Sequence, residues 1–309
     1  PLDTMKPENS AAETPPLMES QLARLQEKYA GMGQDMAAYL EGLLHARSLT
    51  YWEYLHIDTL LTLQKPRTDI PDELVFIGYH QITELYFRLM LHELEQLPAP
   101  GSPALAEALA LRLGRLNAYA RSLVSSFEIM EQGMDPRQFL DFRMALLPAS
   151  GFQSAQFRLL ELGLSGPERL LSAACRAAGL ALESPEAQYE HSYWKEGNRE
   201  LATGGKTLTL KMFEERYDGE LRLAARRATT HSLRARWLSL PEAERMAPGL
   251  VRGLRALDAA LNVHWKLAHF KSSARYLQRK PEDIKATGGT NWQKYLPPRF
   301  QQIIFYPEV

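Results

Sequence analysis

The chain has 309 residues, a formal net charge of −1 and 45% hydrophobic residues, enough for one large domain or two ordinary ones of a soluble globular protein. The balanced charge gives no general argument for nucleic acid or an anionic membrane as partner, and no apolar run approaches the length of a membrane span. A single cysteine, Cys175, excludes an intrachain disulfide and a multi-cysteine zinc or iron–sulfur centre, and makes a reducing cytoplasm the natural home.

Residues 1–16 are polar and proline-rich and read as a mobile tail, without the basic-then-apolar pattern of a signal peptide. Residues 17–309 are expected to form a single all-helical domain. Within it, 17–47 is an N-terminal helix that packs on its own domain or on a neighbouring subunit. Residues 49–64 form a second helical segment dense in rings, with Tyr51, Trp52 and Tyr54. Core packing and the wall of an aromatic pocket both fit that composition.

Residues 72–97 read as one long amphipathic helix. Phe76, His80, Thr83, Glu84, Phe87, Leu91 and Leu94 fall on one arc at about 100° per residue. Asp72 and Glu73 open it, where the helix dipole favours acids, and Pro98 and Pro100 close it. A histidine and a glutamate in the middle of the apolar stripe need partners if buried. A bond to a neighbouring carbonyl meets that need for His80, and so does an internal ligand site.

Helices follow over about 104–131, 138–147 and 152–164. The last begins after Ser150-Gly151-Phe152-Gln153, which has the form of a capping box. Residues 168–182 are helical and 184–205 mixed. Residues 207–236 are helical with an interruption expected near Gly219, and 241–276 are dominated by one long helix. A loop ends in Ala286-Thr287-Gly288-Gly289, and a short helix covers 291–296. All of the periodicity is helical, so the fold class is all-α.

No two of the eight histidines share a helix at the i, i+3 or i+4 spacing of a helical zinc site. His264 and His269 are five apart and point about 140° away from each other. A haem needs only one protein histidine on its iron, a requirement that scattered single histidines meet. His269 shares its helix face with Asp258, Asn262, Trp265, Ser273 and Tyr276, a mixture of rings and polar groups unlike a core stripe. Arg143 stands among Phe139, Phe142, Leu146 and Leu147 and, if buried, needs an anion. A structural acid or a substrate carboxylate would serve. Thr287-Gly288-Gly289 and Thr203-Gly204-Gly205 both offer a hydroxyl and a pliant backbone for a small polar group.

Taken together, these pieces resemble the tryptophan 2,3-dioxygenase family. The matching strings are Leu49-Thr50-Tyr51 through Tyr54-Leu55, Asp72-Glu73, Phe76-Ile77, His80-Gln81, Glu84-Leu85, Phe142-Arg143 and Ser150-Gly151-Phe152-Gln153-Ser154. His269, Arg275 and Thr287-Gly288-Gly289 complete the set in family order. The resemblance implies an all-α, homotetrameric enzyme that uses haem b and O2 to open the indole ring of tryptophan. It implies His269 as the proximal ligand of the haem iron and His80 as the distal histidine that accepts the indole N–H. It implies Arg143 on the substrate carboxylate and Thr287 near the substrate ammonium and carboxylate. Phe76, Tyr54, Leu55 and Leu146 are the implied indole pocket wall, Tyr51 comes from a neighbouring subunit, and Ser150 joins the substrate-binding set.

The chain departs from the family pattern at several places. Phe139 stands where the family usually has a tyrosine, and Tyr79 and Tyr86 replace a glutamine and a tryptophan. The loop from Ala286 continues as Thr290-Asn291-Trp292, and the spacing from His269 to Thr287 is about four residues longer than the family's. A related haem enzyme that oxidises another aromatic amino acid, for example a hydroxylase, and a non-enzymatic helical binding protein stand as the alternatives.

Overall fold

The computed structural model describes residues 16–46, 50–179, 182–200, 204–277 and 302–309. Two isolated β-bridges, Leu171 with Ser192 and Arg199 with Lys206, are the sole β pairing among the described residues. The chain divides into two compact units, residues 1–63 and 64–309.

In the first unit, two helices occupy the segment read as one. They run Pro16–Gly31 and Met36–His45. Gly33, at φ +66°, turns the chain between them, and Asp35 caps the second by accepting from the Ala37 N–H at 2.9 Å. The aromatic segment is also split, into Tyr51–Leu55 and Ile57–Leu60, because His56 adopts φ +52°. Thr50 and Glu53 start it with a capping box.

The second unit is built on the helix Asp72–Glu95, which packs against Leu105–Ser126 and Ala155–Ser165. Pro248–Ala259 lies against Leu105–Ser126, and Leu208–His231 against Ala155–Ser165. Gly253 allows the first of these pairs to approach closely: a Cβ there would stand 2.6 Å from Leu113 Cδ2, and Asn117 Nδ2 donates to the Gly253 carbonyl at 3.0 Å. Buried Leu, Phe and Met from these helices form one continuous core.

Three expectations change. Leu208–His231 runs through Gly219 without a break. The interruption comes at Ser232, whose hydroxyl accepts from the Ala235 N–H and starts Leu233–Leu238. A serine that offers its own N-cap bond ends a helix more effectively than one glycine on a solvated face. The long C-terminal helix is interrupted too. It comprises Pro248–Ala259, a π-helical turn Ala260–His264, and Trp265–Leu277. The capping box at Ser150 is present, but it opens a 3₁₀ turn, Gly151–Gln153, and the α-helix begins after Ser154.

Candidate functional site

One cavity in the second unit is lined by both histidines singled out in the sequence, His80 and His269. His80 sits near the middle of Asp72–Glu95 and His269 after the π turn of the C-terminal helix. The ring Nδ1 of His80 lies 2.7 Å from the Phe76 carbonyl, and that of His269 lies 3.3 Å from the Trp265 carbonyl. A carbonyl only accepts, so each Nδ1 carries the proton and each Nε2 keeps its lone pair. Burial lowers His80 below its ordinary pKa. Burial also lowers His269, to about 4, with the nearby His80 adding to the effect and the Trp265 carbonyl opposing it. Both imidazoles are therefore neutral near pH 7.

The walls are mostly rings and thioethers. Phe76 lies 4.1 Å from the His80 ring, centroid to centroid, and Phe127 lies 4.4 Å from His269. Trp265 stands edge-on to His269 at 4.7 Å. Phe139 packs on Tyr276 at 4.8 Å, and Met130 and Met134 complete this side. Ser272 and Tyr276 fix the His269 helix against the chain before it, donating to the Met130 and Met134 carbonyls at 3.1 and 3.4 Å. Polar groups also reach the cavity wall. The hydroxyls of Tyr79 and Thr83 are buried without a hydrogen-bond partner among the described residues. Burial raises the Tyr79 phenol, while the nearby Ser126 and Thr83 draw it back.

Of the residues named from the sequence, Phe76, His80 and His269 are brought together on this cavity, as is Phe139. Arg143 is buried at the head of a 3₁₀ turn, Arg143–Leu146, and burial lowers its pKa; it is not among the cavity-lining residues. Leu146 packs on the core, and Ser150 is engaged in its capping box. Tyr51, Tyr54 and Leu55 belong to the first unit and are exposed within a single chain. Thr287 lies outside the described residues. Glu84, the second polar residue of the central stripe, accepts from Gln156 Nε2 at 2.8 Å, which answers its need for a partner. Tyr79, Phe127 and Ser272 are wall residues that the sequence reading did not select. Tyr79 had one signal, its departure from the family pattern.

The family model for tryptophan 2,3-dioxygenase matches residues 41–170. A relative named tryptophan 2,3-dioxygenase from Anaeromyxobacter dehalogenans (strain 2CP-C) is 34% identical over 259 residues, 82% of this chain and 91% of the relative. One from Ruegeria sp. (strain TM1040) is 30% identical over 269 residues, 85% of this chain and 91% of the relative. One from Anaeromyxobacter sp. (strain K) is 44% identical over 134 residues, 41% of this chain and 48% of the relative. With similarity of this extent, and with the two histidines placed on one cavity, the chain belongs to the tryptophan 2,3-dioxygenase family.

Proposed function

We propose that this protein is a haem-dependent dioxygenase that adds O2 across the indole C2–C3 bond of L-tryptophan to give N-formylkynurenine. The observation that carries the reading is the matched pair of imidazoles on one cavity, each tied through Nδ1 to a carbonyl one turn back. An axial haem ligand is one such imidazole, held in orientation by its other nitrogen. Burial keeps both rings neutral, the form that binds a metal. The aromatic and methionine walls suit a flat, largely apolar group. The residues present therefore fit haem b, with His269 as the proximal ligand. The bound haem supplies the activation of O2.

The protein's share is orientation and exclusion of water. His80 accepts the indole N–H and fixes the ring. Arg143 clamps the substrate carboxylate, and Thr287 holds the charged end of the amino acid. Phe76 and Leu146 wall the indole, with Ser150 supporting and Tyr51 contributed by a neighbouring subunit of a homotetramer. No helix among the described residues is long and apolar enough to cross a membrane. A lone cysteine suits a reducing cytoplasm, the proposed location.

A second reading, oxidation of a different aromatic amino acid, is favoured by one observation. Phe139 lines the cavity with a ring that has no hydroxyl to offer a carboxylate. One assay separates the readings. The reduced, haem-loaded protein is incubated with tryptophan in air, its spectrum recorded with and without substrate, and the product identified. N-formylkynurenine supports the dioxygenase. Its absence, with turnover of tyrosine or a substituted tryptophan, supports the second reading. Failure to develop a Soret band after reconstitution overturns both and leaves a helical binding protein.

A further inference from the structure

We propose that Cys175, His191 and Glu196 form a binding site for a divalent metal ion of the zinc class, distinct from the His80–His269 cavity. None of the three lines that cavity. They come from three separate pieces of local structure. Cys175 lies in the helix Ala173–Ala177, which Ser172 caps by accepting from the Cys175 N–H at 3.2 Å. His191 is the C-cap of Pro185–Glu190, and Glu196 ends Tyr193–Glu196. The β-bridge between Leu171 and Ser192, with the Ser172 N–H donating to the His191 carbonyl at 2.9 Å, lays these pieces side by side.

The donor atoms converge as a result. The thiol sulfur, an imidazole nitrogen and a carboxylate oxygen all lie within 4.8 Å of one another. His191 Nδ1 is 3.7 Å from Glu196 Oε1. Tetrahedral zinc, with Zn–S near 2.3 Å and Zn–N near 2.0 Å, sets neighbouring ligand atoms about 3.3–3.6 Å apart. One edge of the site is thus almost at its bound length. Rotation of the partly exposed His191 and Glu196 side chains brings in the remainder. Thiolate, imidazole and carboxylate are the soft and borderline donors that select zinc or cobalt over magnesium or calcium. Three protein ligands leave a fourth position for water.

The charge supports the choice of a cation. Elsewhere the same fold gathers Glu190, Glu214 and Asp218, and there it supplies its own counter-ion: Lys195 Nζ stands 2.6, 2.8 and 3.3 Å from the three carboxylates. Glu196, by contrast, pairs with no lysine or arginine among the described residues, only with His191. The buried thiol beside it becomes a second anion once a metal displaces its proton.

The test uses cobalt(II) as the probe and the full chain, read as difference absorbance against the same sample without cobalt. Because the sequence contains one cysteine, a thiolate-to-cobalt charge-transfer band reports this site alone. The expected result is that band, saturating at one equivalent per chain and displaced by zinc. His191→Ala and Glu196→Gln should each weaken the affinity at least tenfold; both side chains are partly exposed, so the variants keep the fold. Absence of the band in the presence of excess cobalt, or affinity unchanged in both variants, overturns the proposal. Neither result bears on haem binding, which the Soret band follows separately.

Discussion

His80 and His269 share one device, a ring pinned by Nδ1 to the preceding turn, but they are assigned opposite tasks. His269→Ala is expected to abolish haem binding, read as loss of the Soret band after reconstitution. His80→Ala should retain haem and lose mainly rate or substrate affinity. If His80→Ala alone removes the haem, the two assignments are reversed. Acid sensitivity is a second consequence. The folded, haem-free protein holds His269 near pKa 4 and His80 below its usual value, whereas the unfolded chain titrates near 6.5. Between about pH 6.5 and 4 the unfolded state therefore binds more protons, and stability falls as pH falls through that window. Above pH 6.5 these groups contribute no slope. Urea midpoints of the haem-free protein at pH 7, 6 and 5 check the sign, and His269→Phe should flatten the trend. The sequence made His80 visible because a histidine inside an apolar stripe is conspicuous, and His269 because its helix face mixes rings with polar groups. It did not make Tyr79 or Phe127 visible as wall residues, since a ring on a helix looks the same whether it packs on core or on a cavity.

Among the elements, the central helix was the most legible. Its expected span, 72–97, is close to the observed Asp72–Glu95, because dense helical periodicity between loop and prolines leaves little choice. Its buried face was less legible. Tyr79, Met90 and Glu93 are fully buried in addition to Thr83, Phe87 and Leu94, since the helix is covered from two sides, by Leu105–Ser126 and Ala155–Ser165. Glu73, read as an acid for the helix dipole, is buried and bonds the loop ahead of the helix, accepting from the Arg67 and Thr68 N–H groups at 2.8 Å. Burial pushes this carboxyl up, but those bonds outweigh it and hold it below its ordinary range. The ion cluster around Lys195 was invisible in the sequence, because its acids lie on other turns and another helix. Lys195 is 2% exposed, with its ammonium 4.0 Å from the Tyr189 ring centroid. Lys195→Ala removes the most buried cation of the cluster and leaves Lys206 and Arg222 to face the three carboxylates, so it should cost less than about 3 kcal/mol of stability, measured by denaturant unfolding.

For the whole molecule, the division at residue 63 matters most. In the first unit the helices from Met36 to Leu60 bury no residue within one chain, and Leu43, Leu44, Tyr51 and Tyr54 are each more than two-thirds exposed. So much apolar surface on short helices calls for a covering partner. The proposed homotetramer provides one, and light scattering should then give four times the 35.1 kDa chain mass. Leu43→Asp with Leu44→Asp should lower that mass while leaving the helical circular dichroism of the second unit in place. A value of one chain mass for the unaltered protein would refute the assembly. Composition and periodicity established an all-helical chain, but they carry no information on which apolar helices a second copy covers.

The π turn Ala260–His264 accommodates one more residue than an α-helical path would, and every side chain beyond it is indexed by that surplus. Because the turn absorbs its own surplus, excising the exposed Val263 would restore an unbroken α-helix and leave the residues on either side in their present relative orientation, whereas excising the exposed Leu267 from the regular helix beyond would swing His269 by about 100° relative to the residues before it. Helical content would survive in both variants, so a Val263 deletion that keeps its colour beside a Leu267 deletion that loses it would show that the surplus residue is absorbed within the turn and that the regular helix beyond it aims the imidazole at 269.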